Sequence, residues 1–162
     1  MRFAQELLKG APLIARGVEF PPDAIGFVRA CFWQVGIDLY DAVATADPAA
    51  DGMQVLYHSA ANRGWLHAES PAPGDLVFFD PNDRDTALYP TQVAIIESVG
   101  ADGTLTAVGA FLRGPERVSL NLREPDQAFA ADGRRINDLL TGETTLTAAQ
   151  LFRSFADPFR RD

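Results

Sequence analysis

Asp23-Ala24-Ile25-Gly26-Phe27-Val28-Arg29-Ala30-Cys31-Phe32-Trp33-Gln34-Val35 carries the strongest periodic signal in the chain. Asp23 has the short acceptor side chain that a helix N-cap requires. Behind it, Ala24, Phe27, Val28, Cys31, Phe32 and Val35 fall at the spacing that places apolar groups on one side of a helix. The run leaves through Gly36-Ile37-Asp38-Leu39. A helix with an apolar face starting at Ala24 needs a second layer to cover that face.

The rest of the chain supplies the layer. Upstream, Arg2–Lys9 reads as a short helix that stops at Gly10, with Pro12 beyond, and Val18–Phe20 as a short extended piece. Downstream, Tyr40–Gly52 is rich in Ala, Asp and Pro and reads as a loop, and Gln54–Asn62 as a helix that stops at Gly64. A strand meander comes next over Asp75–Phe79, Gln92–Val99, Leu105–Phe111 and Arg117–Asn121, with Asp102-Gly103 as a hairpin turn. Past Arg123 the pattern weakens. Asp132-Gly133 marks another turn, and Thr147–Phe155 reads as a terminal helix with Leu151, Phe152 and Phe155 on its apolar side. Helices first and an antiparallel sheet second make an α+β arrangement. There is no internal repeat and no low-complexity tract.

Composition narrows the function classes. A chain of 162 residues is long enough for one domain with a substantial core, and 47% apolar with 22% charged residues is an ordinary globular balance. The net charge of -8 and the pI near 4.7 argue against binding phosphate backbones. Lys9 is the single lysine and the arginines are scattered, so nucleic acid is not an expected partner. Cys31 is the single cysteine, which excludes an intramolecular disulfide and a cysteine-rich zinc site. Glu6 and Lys9 interrupt the first apolar stretch, so residues 1–20 do not read as an export signal and no run reaches the length of a membrane span. The expected compartment is therefore the cytoplasm, with export after removal of a leader as the alternative.

The other chemistry-bearing residues have plainer readings. Cys31 lies two turns beyond Ala24 on the same apolar face and reads as a core residue. His58 and His67 each lack a spaced partner in sequence, and Ser59 beside His58 has no nucleophile-elbow context. Asp80-Pro81-Asn82-Asp83-Arg84-Asp85 gathers hard oxygen ligands, but without the central glycine and distal glutamate of a calcium loop it reads as a solvated acidic loop. Trp33 and Trp65 are the right type to line a groove but identify no ligand. No cofactor or metal is expected.

Three motifs in order carry a resemblance. Asp23-Ala24-Ile25-Gly26-Phe27-Val28, then Pro73-Gly74-Asp75-Leu76-Val77-Phe78-Phe79, then Thr91-Gln92-Val93-Ala94-Ile95-Ile96 together resemble the NlpC-type, papain-like cell-wall cysteine peptidases. That family reads Asp-Cys-Ser-Gly-Phe-Val, Pro-Gly-Asp-Leu-Val-Phe-Phe and His-Val-Gly-Ile. The second motif is the most specific, and order and spacing agree over residues 20–122, leaving 123–162 as a C-terminal extension of one domain spanning 1–162. The resemblance implies a papain-like fold in which the helix N-terminus abuts the sheet and brings Ala24, Gln92 and Gly109 together. It also implies that the nucleophile position is Ala24, the base position Gln92 and the orienting position Gly109, with Ala107 as the alternative. A methyl group, an amide and a hydrogen cannot supply thiolate, base and orienter. The resemblance therefore implies a pseudoenzyme that binds a protein partner, a peptide or a cell-wall fragment, with Asp23, Ala24 and Gln92 in a vestigial groove. Two alternatives stand beside it: an engineered inactive form of a cell-wall amidase or endopeptidase, and a structural partner of an active paralogue.

Overall fold

The computed structural model describes residues 2–40, 52–80, 89–140 and 145–160. Most of the expected 40–52 loop and all but the first residue of the acidic run after Asp80 lie outside them. The helices are α1 (Arg2–Leu7), α2 (Ala24–Gln34) and α3 (Gly52–Asn62). The strands are β1 (Ile14–Ala15), β2 (Val18–Glu19), β3 (Leu66–His67), β4 (Leu76–Phe79), β5 (Gln92–Val99), β6 (Leu105–Phe111), β7 (Gly114–Leu120) and β8 (Phe152–Ala156). The α+β class expected from the sequence is the one observed. β1 and β2 form a small hairpin, and the other six strands form one antiparallel sheet in the order β3-β8-β4-β5-β6-β7.

Helix α2 forms where the periodicity places it. Asp23 is extended, and its Oδ1 accepts the Gly26 N–H at 2.7 Å. At the other end the Gly36 N–H donates to the Trp33 carbonyl and the Ile37 N–H to the Phe32 carbonyl, both at 3.0 Å, with Gly36 at φ +84°. That is a Schellman termination, and the left-handed backbone it needs suits glycine. α3 closes in the same way at Gly64. The cap contributes about 1 kcal/mol. Burial of Phe27, Val28 and Phe32 contributes about 1.5–3 kcal/mol each, so packing decides the helix and capping decides its ends.

The sheet is buried on both faces. On one, Leu76, Phe78, Val93, Ile95, Val108 and Ala110 pack with Phe27, Val28 and Phe32 of α2, with Met53 and Leu56 of α3, and with Ala4 and Leu7 of α1. On the other, Val77, Phe79, Ala94, Ile96, Ala107 and Phe111 pack with Leu140, Ala148, Ala149 and Leu151. The α1 helix is also fastened at its exposed side, where Glu97 of β5 accepts Arg117 Nε and Nη2 of β7 at 2.5 and 2.8 Å and a hydrogen bond from Gln5. These contacts, the arginine hydrogen bond first, hold the Glu97 carboxyl below the usual carboxylate range.

In the segment 123–162, expected as an extension with a terminal helix over Thr147–Phe155, the end of that stretch instead enters the sheet as β8, Phe152–Ala156. Thr147 and Gln150 do form the reciprocal start of a helix: the Thr147 N–H donates to Gln150 Oε1 at 2.8 Å and the Gln150 N–H to Thr147 Oγ1 at 3.2 Å. One turn later the chain extends as β8 and pairs with β4 on one side and β3 on the other. The two-residue β3 and β1 are further elements that sequence periodicity does not reveal. The expected turns at Asp102-Gly103 and Asp132-Gly133 are present, with the Gly103 and Gly133 N–H groups each donating back three residues at 2.9 Å.

The irregular layer over the second face is organised by Asn137, which is fully buried. Its Oδ1 accepts the Asn121 N–H at 2.7 Å, and its Nδ2 donates to the Glu124 and Gln127 carbonyls at 2.9 and 2.7 Å. Asn137→Ala removes three hydrogen bonds and leaves a buried N–H without an acceptor. The expected loss is about 2–4 kcal/mol in urea unfolding. A loss below about 0.5 kcal/mol would show that this side chain does not hold the layer.

Candidate functional site

The N-terminus of α2 is where the resemblance places chemistry. Pro21, Pro22 and Asp23 are exposed there, and Ala24 is half-buried against the helix-side core. The carbonyl of Pro21 folds back so closely over Gly26 that an added Cβ would collide with it. Gly26 is therefore required by the entry of the chain into the helix, independently of any catalytic role. Gly26→Ala is expected to destabilise by about 1–3 kcal/mol or more, since the obstacle is backbone and cannot rotate away; urea unfolding of this variant beside Ala30→Gly, a cavity-forming change in the same helix, measures it.

The sheet does not bring the three expected positions together. Gln92 pairs with Phe79 and Val93 with Phe78, in unbroken register with β4. Side chains alternate along a strand, so Gln92 lies on the face of Phe79, Ala94 and Ile96, opposite the one that α2 covers. The same holds for Gly109, whose Cβ would meet Ala94 Cβ at 3.0 Å and the Phe111 ring at 3.1 Å, and for Ala107, which is buried in that second cluster. The expectation that Ala24, Gln92 and Gly109 converge is corrected on this point. The sheet residues facing the helix are Val93, Ile95, Val108 and Ala110, all apolar. Gln92 Oε1 is buried and accepts no hydrogen bond from the described residues.

A cavity of about 600 Å³ lies at the opposite end of α2. Its walls are α1 through Phe3 and Ala4, the last turns of α2 through Cys31, Phe32 and Val35, the Pro73-Gly74 turn, Ile95 of β5, and Phe159. Arg2 and Glu6 stand at its rim, 3.5 Å apart. Phe159 lies against Phe32, ring centroids 5.6 Å apart, and its edge covers Gly74. Cys31 lines this cleft, and burial pushes its thiol up to about 12, so at neutral pH it is a small apolar group and no nucleophile. It points to the end of α2 remote from Ala24 and takes no part in the surroundings of that residue.

His67 has a partner that its sequence neighbours do not show. Its Nδ1 lies 2.8 Å from the Glu69 carbonyl oxygen, which accepts only, so Nδ1 carries the proton. Its Nε2 is buried 3.3 Å from Asp75 Oδ2, off the axis of a proper hydrogen bond. Asp75 is itself buried and accepts the Ala72 N–H at 2.8 Å. Burial pushes the Asp75 carboxyl above the usual carboxylate range, against the opposing pull of that backbone bond and of His67. The two residues meet because β3 and β4 both pair with β8, a relation invisible while β8 reads as helix.

The remaining candidates have structural surroundings. Ser59 is buried and donates to the Leu39 carbonyl at 2.7 Å. His58 lies beside Tyr89, ring centroids 5.1 Å apart. Trp33 packs on Phe20, and Trp65 is buried under the Arg63 guanidinium, 4.5 Å from its ring centroid. Asp80 accepts from Arg153 Nη1 at 2.7 Å. Among the described residues no cluster of three or more His, Cys, Asp or Glu could hold a metal ion, and no helix is long and apolar enough to cross a membrane. No family model, no curated protein and no solved structure matches the chain.

The helix mouth yields a direct test. Ala24→Cys is expected to titrate as an ordinary thiol, alkylated by iodoacetamide at a rate that climbs steadily above about pH 8, because the apolar side chains of the facing sheet offer it no base. An alkylation rate already at plateau near neutral pH would show that the α2 N-terminus, or a histidine or cation beside position 24, activates the thiol.

Proposed function

We propose that this chain is a non-catalytic binding domain on an NlpC-like, papain-type frame, and that it holds a peptide segment of a partner protein by seating an apolar side chain in the cleft. The observation that carries this reading is a methyl group at the α2 N-terminus facing a sheet surface of valine, isoleucine and alanine. Acyl transfer by a cysteine needs a thiolate, a proton acceptor and a group orienting that acceptor. Ala24, Val93 and Val108 offer none of these, and neither do Gln92 and Gly109 on the other face of the sheet.

The order of elements supports the frame. A capped helix precedes a Pro-Gly-Asp turn, which leads into an antiparallel meander packed on that helix. Binding rather than chemistry is supported by the cleft, whose walls are Phe3, Phe32, Val35, Pro73 and Phe159 and whose volume suits one or two large side chains. Val35 and Phe159 are 63% and 54% exposed at its mouth, where apolar groups gain most from being covered. The net charge of -8 favours a segment with basic residues flanking its apolar anchor.

Fluorescence polarisation with a labelled peptide bearing one phenylalanine between lysines tests the reading. Saturable binding is expected at high salt, where attraction between the lysines and an added carboxylate is screened, and Val35→Asp, which sets a charge in the cleft, is expected to weaken it about tenfold or more. Cell-wall stem peptides incubated alongside are expected to be recovered intact by mass spectrometry. Hydrolysis above the buffer rate, or binding indifferent to Val35→Asp, would overturn the proposal.

A further inference from the structure

We propose that His67 and Asp75 form a proton-dependent latch behind the Pro73-Gly74 wall of the cleft, closed at acidic pH and loosened as pH rises, so that uptake in the cleft is controlled by pH. The proposal rests on the reading of the cleft as the binding site and adds its regulation.

The geometry sets Nε2 and Oδ2 against each other with no proper hydrogen bond between them. Nδ1 of His67 is committed to donating to the Glu69 carbonyl. Nε2 therefore meets Asp75 Oδ2 at 3.3 Å in one of two favourable ways: the imidazole carries a second proton, or the carboxyl does. With neither protonated, a lone pair faces a carboxylate in a buried site, and the pair repels. The charged surroundings favour retention of the proton. Asp157, on the chain leaving β8, adds a second negative charge beside Asp75. On that exit Arg160 is engaged with the Gly64 carbonyl at 3.1 Å; on either side of β3, Arg63 lies over the Trp65 ring and Glu69 presents its carbonyl.

The latch is wired to the cleft through short connections. The Asp75 carboxylate holds the Ala72 N–H, and the Asp75 N–H returns to the Ala72 carbonyl at 3.1 Å, closing the turn that contains Pro73 and Gly74. Those two residues are cleft wall. Phe159, which covers Gly74, is positioned by its N–H donating to Asp157 Oδ1 at 2.9 Å, while the Asp157 N–H donates to the Trp65 carbonyl two residues from His67. Repulsion at Nε2 and Oδ2 thus acts on both the turn and the aromatic flap.

The sign comes from the Asp75 carboxyl lying above its ordinary value. A raised folded value means that the stabilisation is complete below the ordinary carboxylate value of about 4 and is lost as pH rises through the folded value.

Uptake of the uncharged dye N-phenyl-1-naphthylamine, followed by fluorescence from about pH 4 to about pH 8.5 with circular dichroism to confirm folding, is the test. Wild-type uptake is expected to fall several-fold across the range. His67→Gln sets an amide donor against Asp75 in place of the lone pair and is expected to reduce the fall, leaving the part that burial of Asp75 alone produces. Asp75→Asn, which keeps an acceptor for the Ala72 N–H but removes the carboxyl, is expected to flatten the profile and serves should the glutamine variant fail to fold. Val35→Asp is expected to abolish uptake at every pH. A flat wild-type profile with uptake still abolished by Val35→Asp overturns the latch and leaves the cleft standing. Uptake unaffected by Val35→Asp overturns both.

Discussion

Strand β4 buries all four of its side chains, Leu76, Val77, Phe78 and Phe79, and the rest of the molecule is arranged to permit that. A strand buried on both faces needs a layer above and a layer below, and backbone partners along both edges, since an unpaired buried N–H or C=O costs about 1–3 kcal/mol. The helices supply one layer and the described residues between 121 and 151 the other. β5 takes one edge. The other is taken by β8, which arrives from much later in the chain. Truncating the chain after the meander would leave Phe78 and Phe79 with an open edge and half their cover.

This constraint explains which parts of the structure are legible in the sequence. The α2 helix, the α3 helix and the meander strands carry strong local periodicity, and their limits agree with expectation to within a few residues. β8 reads as helix because Thr147-Ala148-Ala149-Gln150 is a genuine helix-start signal; it makes one turn before the unpaired edge of β4 takes over. Tertiary pairing outweighs local propensity here, because propensity differences are on the order of tenths of a kcal/mol per residue and the edge offers several hydrogen bonds and the burial of Phe155. β1 and β3 have two residues each, too few to show any period.

The candidate site is legible in one half. Ala24 sits at the capped mouth of α2 as expected, and Gly26 has a steric reason to be glycine. The sheet half is not legible, because a strand residue changes face with a shift of one position, and the local sequence does not anchor the register. Order and spacing place Gln92 and Gly109 on their strands but do not distinguish one face from the other. The His67–Asp75 contact is hidden for a different reason: it exists only through a shared third strand. Pairings of that kind leave no trace in the local sequence.

The insertion of β8 between β3 and β4 has a consequence for how the protein is made. On the ribosome, residues 66–79 emerge long before residues 152–156, so β4 waits with one edge open while the intervening chain is synthesised. During that interval the Leu-Val-Phe-Phe segment is a template for any extended strand nearby, including the same segment on a neighbouring nascent chain. Synthesis speed and chaperone access thus bear on yield in a way that the stability of the finished fold does not report. The vacancy is also strand-shaped, so a short peptide copying Phe152–Ala156 would compete for it only before the chain's own strand has docked.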